Sequence, residues 1–218
     1  MKIDRNSYGT LAVVFFFAAV VIYTTWKLIN PLWIKVLIAL AMFLICLWQL
    51  YFFRVPDRTP AGSDTIVTSA ADGKVVIVDT AVEDEFLKRE CKRVCVYMDF
   101  FDVHVNFWPV TGEITYYEYH PGKHFLAFKP KASEENEHAS ACIRTASGKE
   151  VVFKQHAGVF ARRIVNYSNL GDQVRSGEQC GIIKFGSRMD IYLPMDAEIK
   201  IKKGETAVAA ETVIALLG

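Results

Sequence analysis

Hydrophobic residues are distributed in two different ways along the chain, and this difference divides it into two parts. Two long apolar runs come first, LAVVFFFAAVVIYTTWKLI at residues 11–29 and LWIKVLIALAMFLICLWQLYFF at residues 32–53. Each run is long enough to cross a hydrocarbon core of roughly 30 Å as a helix. Because only Asn30 and Pro31 separate them, the pattern predicts a transmembrane helical hairpin within a membrane anchor at residues 1–53.

From residue 54 onwards the pattern changes to short apolar segments separated by turn residues. The stretch VPDRTPAGSD predicts a linker, and the alternating segments after it predict strands. Residues 54–218 are therefore predicted to form a mostly β (α+β) domain, large enough to bury one core. The predicted strands are residues 74–78, 93–98, 103–108, 112–119, 141–145, 150–155, 182–185, 189–193 and 197–201, and one short helix is predicted at residues 132–138.

An internal echo within the last fifty residues refines this prediction. The segment GDQVRSGEQCGII, which begins at Gly171, aligns with GETAVAAETVIAL, which begins at Gly204, and Glu178 then falls on Glu211. Turns of glycine and an acidic residue, followed by a second turn of small residues, are typical of paired β-hairpins in a barrel-sandwich-like, lipoyl-like module. The lysine that usually marks the tip of a lipoyl-bearing hairpin is not evident here.

The charges exclude one class of function and orient the predicted anchor. With 25 basic and 24 acidic side chains the net charge is +1, so no nucleic-acid partner is expected. By the positive-inside rule, basic residues outside the two apolar runs place both ends and the β domain on the cytoplasmic side of the cell membrane. Those residues are Lys2, Arg5, Arg54 and Arg58; Lys27 and Lys35, near the turn, act against this orientation.

The cysteines indicate a reducing compartment. There are five, an odd number, and one lies in an apolar run, which argues against a disulfide framework. Cys91 and Cys95 lack a second pair of ligands at zinc-finger spacing, so no metal site is expected.

One stretch, KFGSRMDIYL at residues 184–193, places Gly-Ser-Arg between two strand-like segments. A serine in such a turn is usually inert, because its hydroxyl is a poor nucleophile without a base, and no G-x-S-x-G elbow surrounds it. The glycine directly before it permits strained backbone dihedrals and exposes its own carbonyl. The hydroxyl of Ser187 is therefore a candidate to attack the carbonyl of Gly186 within the same chain.

Several further stretches, in this order and spacing, carry a specific resemblance. They are FFRVPDRTP, SAADGKV, FFDVHVNFWPVTG, HPGKHFLAF with KASEENE, FKQHAGVFARRIV and GDQVRSGEQCGIIKFGSRMDIYLP. Together they make the chain resemble the short form of phosphatidylserine decarboxylase, a family of self-cleaving pyruvoyl enzymes. The resemblance spans nearly the whole chain.

The resemblance implies a reaction that the chain performs on itself. Ser187 attacks the Gly186 carbonyl, and cleavage leaves a β chain of residues 1–186 and an α chain of residues 187–218, held as a heterodimer with any higher oligomer left open. Residue 187 becomes a pyruvoyl group, which forms a Schiff base with phosphatidylserine and accepts electrons as carbon dioxide leaves, giving phosphatidylethanolamine. Neither a metal nor a diffusible cofactor is implied.

The same resemblance implies roles for other residues. His104 is expected to carry the proton and Asp72 to orient it. Without the family, His104 would be interpreted as a core histidine and Asp72 as part of an Asp-Gly turn. Longer family members carry a second histidine three residues after the first, where this chain has Phe107. The division of labour between cleavage and decarboxylation stays open.

Four residues are expected to contact substrate. His156 lies in a stretch that is expected to line the pocket, and Arg162 and Arg163 could meet a lipid phosphate or the anionic membrane surface. Arg188 could pair with the substrate carboxylate. Packing or a solvated strand face explains His156 and the arginine pair equally well.

Two alternatives stay open at this stage. An ether lipid of archaeal type with the same serine head group would be decarboxylated in the same way, because the head-group chemistry does not involve the tails. A non-catalytic, membrane-tethered barrel-sandwich adaptor is the alternative from another class, and it predicts that Ser187 stays intact.

Overall fold

The chain is described by a computed structural model that covers residues 2–123, 136–158, 163–184 and 187–218, without the side chain of Arg163. It separates into two compact units, Met1–Pro56 and Asp57–Gly218. The first unit contains a 3-10 turn, Arg5–Ser7, and two helices, α1 (Tyr8–Leu28) and α2 (Leu32–Phe52).

Both helices have the length and composition of membrane-spanning segments. Each contains 21 residues, which at about 1.5 Å per residue gives about 31 Å. Most of their large apolar side chains are exposed, as expected if lipid surrounds them. The short strands β1 (Lys2–Ile3) and β2 (Arg54–Val55) pair in antiparallel fashion, so the segment that leads into α1 and the segment that leaves α2 lie side by side.

The second unit is built from β-strands throughout its described residues. Their bounds are β3 (Ile66–Thr68), β4 (Gly73–Glu83), β5 (Arg89–Met98), β6 (Val105–Phe107), β7 (Gly112–His120), β8 (His138–Arg144), β9 (Glu150–Ala157), β10 (Arg163–Asn166), β11 (Gln173–Val174), β12 (Gln179–Lys184), β13 (Ser187–Leu193), β14 (Glu198–Ile199), β15 (Thr206–Ala207) and β16 (Val213–Leu216). The prediction of a mostly β domain is confirmed. Of the helix predicted at 132–138, residues 132–135 lie outside the described part, and His138 begins a strand.

The strands form one large, curled half-barrel sheet and two small sheets. The large sheet has eight antiparallel strands in the order β11-β7-β8-β9-β13-β5-β4-β15. The small sheets have the orders β10-β12-β6 and β14-β16-β3. Strand β13 therefore lies in the interior of the large sheet, between β9 and β5, whereas the short strands β11 and β15 form its two edges.

The internal sequence echo corresponds to two turns of the same backbone geometry. Gly171 and Gly204 both have positive φ, +87° and +94°, and so do the next equivalent pair, Gly177 at +82° and Ala210 at +65°. Their strands β11 and β15 lie at opposite edges of the large sheet. Ala210 is unusual in this conformation, because a Cβ makes the left-handed region costly.

The hydrogen bonds of the two turns also correspond. The amide of Gly171 donates to the carbonyl of Ile114, and the amide of Gly204 donates to the carbonyl of Val75. The segments that precede Val75 and Ile114 also exchange reciprocal hydrogen bonds. Thr68 N–H donates to the carbonyl of Pro109, and Phe107 N–H donates to the carbonyl of Ala70. The two halves of the unit are therefore related by an approximate twofold repeat.

The main core fills the concave side of the large sheet, where large apolar residues alternate along the strands. Phe153, on β9, is completely buried there and meets the Trp108 ring edge-on, with ring centroids 5.3 Å apart. A second, smaller apolar cluster covers the other side of the sheet, around Cys91, Cys142 and Tyr192. The central strands are thus buried on both faces.

We expect replacement of Phe153 by alanine to lower the free energy of unfolding of this unit by about 3–5 kcal/mol, because it removes a fully buried ring and leaves a cavity. Phe101→Ala is the control, because that ring is 70% exposed and should change stability by less than about 0.5 kcal/mol. Urea unfolding of the full-length chain in detergent micelles, followed by circular dichroism, measures both. Equal losses for the two variants would contradict the position assigned to Phe153.

Candidate active site

Ser187 is the first residue of β13, and both neighbouring strands pair with it. Its partner on β5 is Met98, and its partner on β9 is Ala157. All seven residues of β13 are buried. The candidate nucleophile therefore lies on the most constrained strand of the sheet and not in an exposed turn.

The hydroxyl of Ser187 faces the side of the sheet that carries the main core and a small polar network. It lies 3.7 Å from Met98 Sδ, a weak acceptor, and the Asn106 amide Nδ2 lies 3.7 Å from the same sulfur. Asn106 Oδ1 accepts from Gln155 Nε2 at 2.9 Å, and Gln155 Oε1 accepts from Asn166 Nδ2 at 2.8 Å. This buried chain of amides was not predicted from the sequence. The available signal was Asn106 in DVHVN, two residues after His104.

His104 is completely buried directly before β6. Its Nδ1 lies 3.1 Å from the backbone carbonyl of Asp102. A carbonyl can only accept, so Nδ1 carries the hydrogen and the neutral ring presents a lone pair at Nε2. The carbonyl of His104 accepts from Ile183 N–H on β12, the strand that leads towards Ser187. The backbone of His104 is therefore held beside the segment that precedes the predicted cleavage point.

The carboxylate of Asp72 has other partners than His104. Its Oδ2 lies 2.5 Å from Arg58 Nη2, and its Oδ1 accepts from the amide of Ala209 at 2.8 Å. In the other half of the twofold repeat, Thr111 Oγ1 accepts from the amide of Ser176 at 3.0 Å in the same way. Asp72 thus fixes the turn that contains Ala209, as Thr111 fixes the turn that contains Ser176. The prediction that it orients His104 finds no supporting contact in the described residues.

Arg188, Asp190 and His156 form a buried ionic cluster on the opposite face of β13 from the Ser187 hydroxyl. The Arg188 guanidinium binds both Asp190 oxygens, Nε to Oδ1 at 2.7 Å and Nη2 to Oδ2 at 2.9 Å. His156 Nε2 lies 3.2 Å from Asp190 Oδ2. All three side chains are completely buried.

The cluster shifts the protonation equilibria of its members. Burial lowers the pKa of His156 to about 4 against the attraction of Asp190, with Arg188 and His138 acting in the same direction as burial. Burial alone would raise the pKa of Asp190, but the contacts with His156 and Arg188 outweigh it and hold that pKa well below its usual range. At neutral pH, Asp190 is ionised and His156 is neutral.

Comparisons with known proteins identify the family of this chain. A sequence profile of the family described as phosphatidylserine decarboxylase matches residues 46–215. The chain belongs to this family.

Relatives named phosphatidylserine decarboxylase proenzyme are similar over most of the chain. The one from Amoebophilus asiaticus is 44% identical over 172 residues, which cover 79% of this chain and 76% of the relative. The one from Cytophaga hutchinsonii is 40% identical over 172 residues, or 79% and 78% of the two chains. The one from Parabacteroides distasonis is 34% identical over 218 residues, or 100% and 99%.

The resemblance to the phosphatidylserine decarboxylase family predicts two site residues that lie outside the described part of the chain. They are Gly186 and Arg162. Of Arg163 the backbone is described, and it pairs with Lys184, three residues before Ser187. His156 and Arg188, which are expected to contact substrate, both contact Asp190, on the face away from the Ser187 hydroxyl.

The stability of this phosphatidylserine decarboxylase family member should depend on His156 below neutral pH. Its pKa is about 4 in the folded chain and about 6.5 when unfolded, so the unfolded state binds more protons between these values. The contribution is complete above about pH 6.5 and is lost as the pH falls to about 4, on the order of 3 kcal/mol.

We therefore expect His156→Gln, which keeps a polar side chain but does not titrate, to flatten the dependence of stability on pH between 6.5 and 4. Urea unfolding at a series of pH values, for the original chain and the variant, measures the difference. Carboxylates that do not contact His156 contribute equally to both curves and cancel, and Asp190 keeps its pairing with Arg188 in the variant. Two parallel curves would show that His156 titrates normally.

Proposed function

We propose that this chain decarboxylates phosphatidylserine to phosphatidylethanolamine, after cleaving itself between Gly186 and Ser187. Membership of the family supports the reaction, and the word proenzyme in the relatives' names supports a processed form. The observation that carries the proposal is the position of Ser187, which is the first residue of a central, fully buried strand. Cleavage there would create a new chain end inside the domain.

A pyruvoyl group made from Ser187 fits this position. Such a group supplies an electrophilic carbonyl that takes up the electrons released when a carboxylate leaves. Strand pairing with β5 and β9 would hold residue 187 in place after cleavage. The Asn106 amide and the Ser187 hydroxyl each lie 3.7 Å from the same sulfur atom, and we propose that this amide donates a hydrogen bond to the group at residue 187.

His104 is the residue that we propose as proton carrier. The Nδ1–H bond to the Asp102 carbonyl leaves Nε2 of the neutral ring free of its own hydrogen, as a base requires. Alternate residues of an extended segment point to the same side, so His104 is expected to share the side of Asn106, towards Ser187. Phe107 is buried and takes the place of the second histidine of longer members, so His104 would act alone in this motif.

The two chains produced by cleavage would stay together as a heterodimer. The chain of residues 187–218 would keep β13 paired with β5 and β9, β15 paired with β4 and β16 paired with β3. We propose that the two repeated hairpins make this domain a barrel-sandwich of lipoyl-like type. The strand pairs that the α chain makes would bury it in the same core as the β chain.

The remaining predicted residues take two different roles in this proposal. Arg162 and Arg163 are proposed to meet the lipid phosphate or the anionic membrane surface. Arg188 and His156 are proposed to position β13 through Asp190, because both are completely buried in that cluster.

The anchor would keep the domain next to its substrate. We propose that α1 and α2 form a transmembrane hairpin with both ends on the cytoplasmic side, on the basis of their length, their exposed apolar surface and the charges at Lys2, Arg5 and Arg54. A site held at the interface avoids moving two acyl chains into water.

Ser187→Ala should give one uncleaved chain of about 24.6 kDa without decarboxylase activity, because the attacking hydroxyl is removed. Intact-mass spectrometry of the purified protein, with an assay of carbon dioxide release from phosphatidylserine vesicles, measures both effects. Ser147→Ala is the matched control, because Ser147 lies in an exposed turn, and it should cleave and react normally. An active S187A variant would contradict the pyruvoyl mechanism, whereas an intact original chain that binds vesicles without reacting would favour an adaptor.

His104→Asn tests the proton carrier. The asparagine amide can still donate to the Asp102 carbonyl, whereas the basic Nε2 is lost. We expect self-cleavage, decarboxylation or both to be slowed by about 10²- to 10⁴-fold, the usual contribution of a general acid or base. Gel analysis of maturation over time and a separate activity assay of the matured fraction distinguish the two steps. Normal rates in both assays would remove His104 from the mechanism.

A further inference from the structure

A second group of polar side chains lies on the other face of the large sheet, outside the proposed active site. Glu85 is in the turn between β4 and β5, His120 ends β7, and His138 begins β8. One ligand atom from each, a carboxylate oxygen and two imidazole nitrogens, lies within 4.8 Å of the others. All three are half-buried and line a cavity of about 520 Å³.

The tautomer of His138 makes this cluster unusual. Its Nδ1 lies 2.9 Å from the backbone carbonyl of Asn136, which can only accept, so Nδ1 carries the hydrogen. In the neutral ring, Nε2 then presents a lone pair, and it faces Glu85 Oε2 at 3.5 Å. Two acceptors that face each other require a positive charge between them, from either a proton or a metal ion. A backbone carbonyl on the far nitrogen is also the usual support of a metal-binding histidine.

His120 brings a second imidazole nitrogen to the same carboxylate. Its Nε2 lies 2.7 Å from Glu85 Oε1, and its ring stacks on that of His138 with centroids 4.6 Å apart. Both Nε2 atoms therefore face Glu85 from the same side of the cluster. One divalent cation between the two Nε2 atoms and the carboxylate would satisfy all three groups with a single charge centre.

The surrounding charges favour a cation. Lys154 Nζ contacts Glu83 at 2.7 Å, Asp84 at 3.7 Å and Glu85 at 2.9 Å, so three carboxylates share one ammonium group. Arg93 also lines the cavity, but Asp79 neutralises it. Two negative charges are therefore left in excess when both histidines are neutral, and Glu118, 4.0 Å from His120 Nε2, adds another.

We propose that Glu85, His120 and His138 bind a divalent transition-metal ion of the Zn²⁺ class. Two imidazoles and one carboxylate match the ligand preference of such ions, with bonds of about 2.0–2.2 Å, and the cavity leaves room for water at the fourth position. Ser140 Oγ, which donates to Glu85 Oε2 at 2.8 Å, and Tyr116, which donates to Oε1 at 2.9 Å, orient the carboxylate. Strand β9 separates β8 from β13, so the site is distinct from Ser187.

The ion would brace the end of the sheet, since it joins the β4–β5 turn to β7 and β8. It is not required by the decarboxylation chemistry, for which no metal is expected. Cysteines do not compete for it in solution: Cys91, Cys95, Cys142 and Cys180 are buried with raised pKa values, and Cys46 lies in α2.

The test is calorimetric titration of Zn²⁺ into the full-length, tag-free protein in detergent micelles, after removal of metals with a chelator. We expect one ion per chain. His120→Ala, which removes a half-buried ligand at the end of β7, should weaken binding by more than about 100-fold, because loss of an outer-shell partner alone costs about 10- to 100-fold. Glu85→Gln should do the same, whereas Glu113→Gln, the same change on an exposed residue of β7, should not.

Circular dichroism of the metal-free H120A variant establishes that it is folded. Absence of stoichiometric binding, or equal affinity in H120A, E85Q and E113Q, would overturn the proposal. The same titration on the uncleaved S187A chain separates it from the proposed function, because binding there should be unchanged whether or not the original chain proves to be a decarboxylase.

Discussion

Strand β13 is hydrogen-bonded on both sides and buried on both faces, and the rest of the site depends on this constraint. An interior strand of this kind cannot move its first residue without disturbing β5 and β9. Ser187 therefore has a fixed position relative to Met98 and to the amides that surround it. A strained or mobile turn would expose the serine more, but it would not hold a new chain end in one place after cleavage.

The approximate twofold repeat explains how the domain would stay folded after the proposed cleavage. One repeated segment, with β11 and β12, lies before Ser187, and the other, with β15 and β16, lies after it. Each covers one edge of the large sheet and pairs with the segment that is equivalent under the repeat. Cleavage between them would separate the chain without breaking any strand pair. The same repeat explains the contact of Asp72 with Ala209, because the Asp72 carboxylate fixes one turn as the Thr111 hydroxyl fixes the equivalent turn in the other half.

The sequence predicted the parts of this structure that depend on local pattern. Apolar alternation identified the interior strands, and Gly-Ser-Arg identified Ser187. The edge strands β11 and β15 were missed because two residues carry no periodicity. The partners of Arg188 were missed for another reason: a charged residue is expected at the surface, and only the paired strands show that Asp190 and His156 lie next to it. Contacts between distant strands, such as Asn106 with Gln155, are likewise not encoded in local spacing.

The buried Arg188–Asp190 pair, costly in desolvation, is best understood through the register of β13. Side chains of a strand alternate between faces, so a slip of one residue would turn Arg188 into the apolar core and Ser187 away from Asn106. The slip would carry Asp190 along with Arg188, so both charges would leave His156 and enter that core, at a cost of several kcal/mol. The ion pair therefore opposes the slipped register more strongly than it stabilises the correct one. Because Arg188 directly follows Ser187, this opposition acts at the position where the reactive residue must be held.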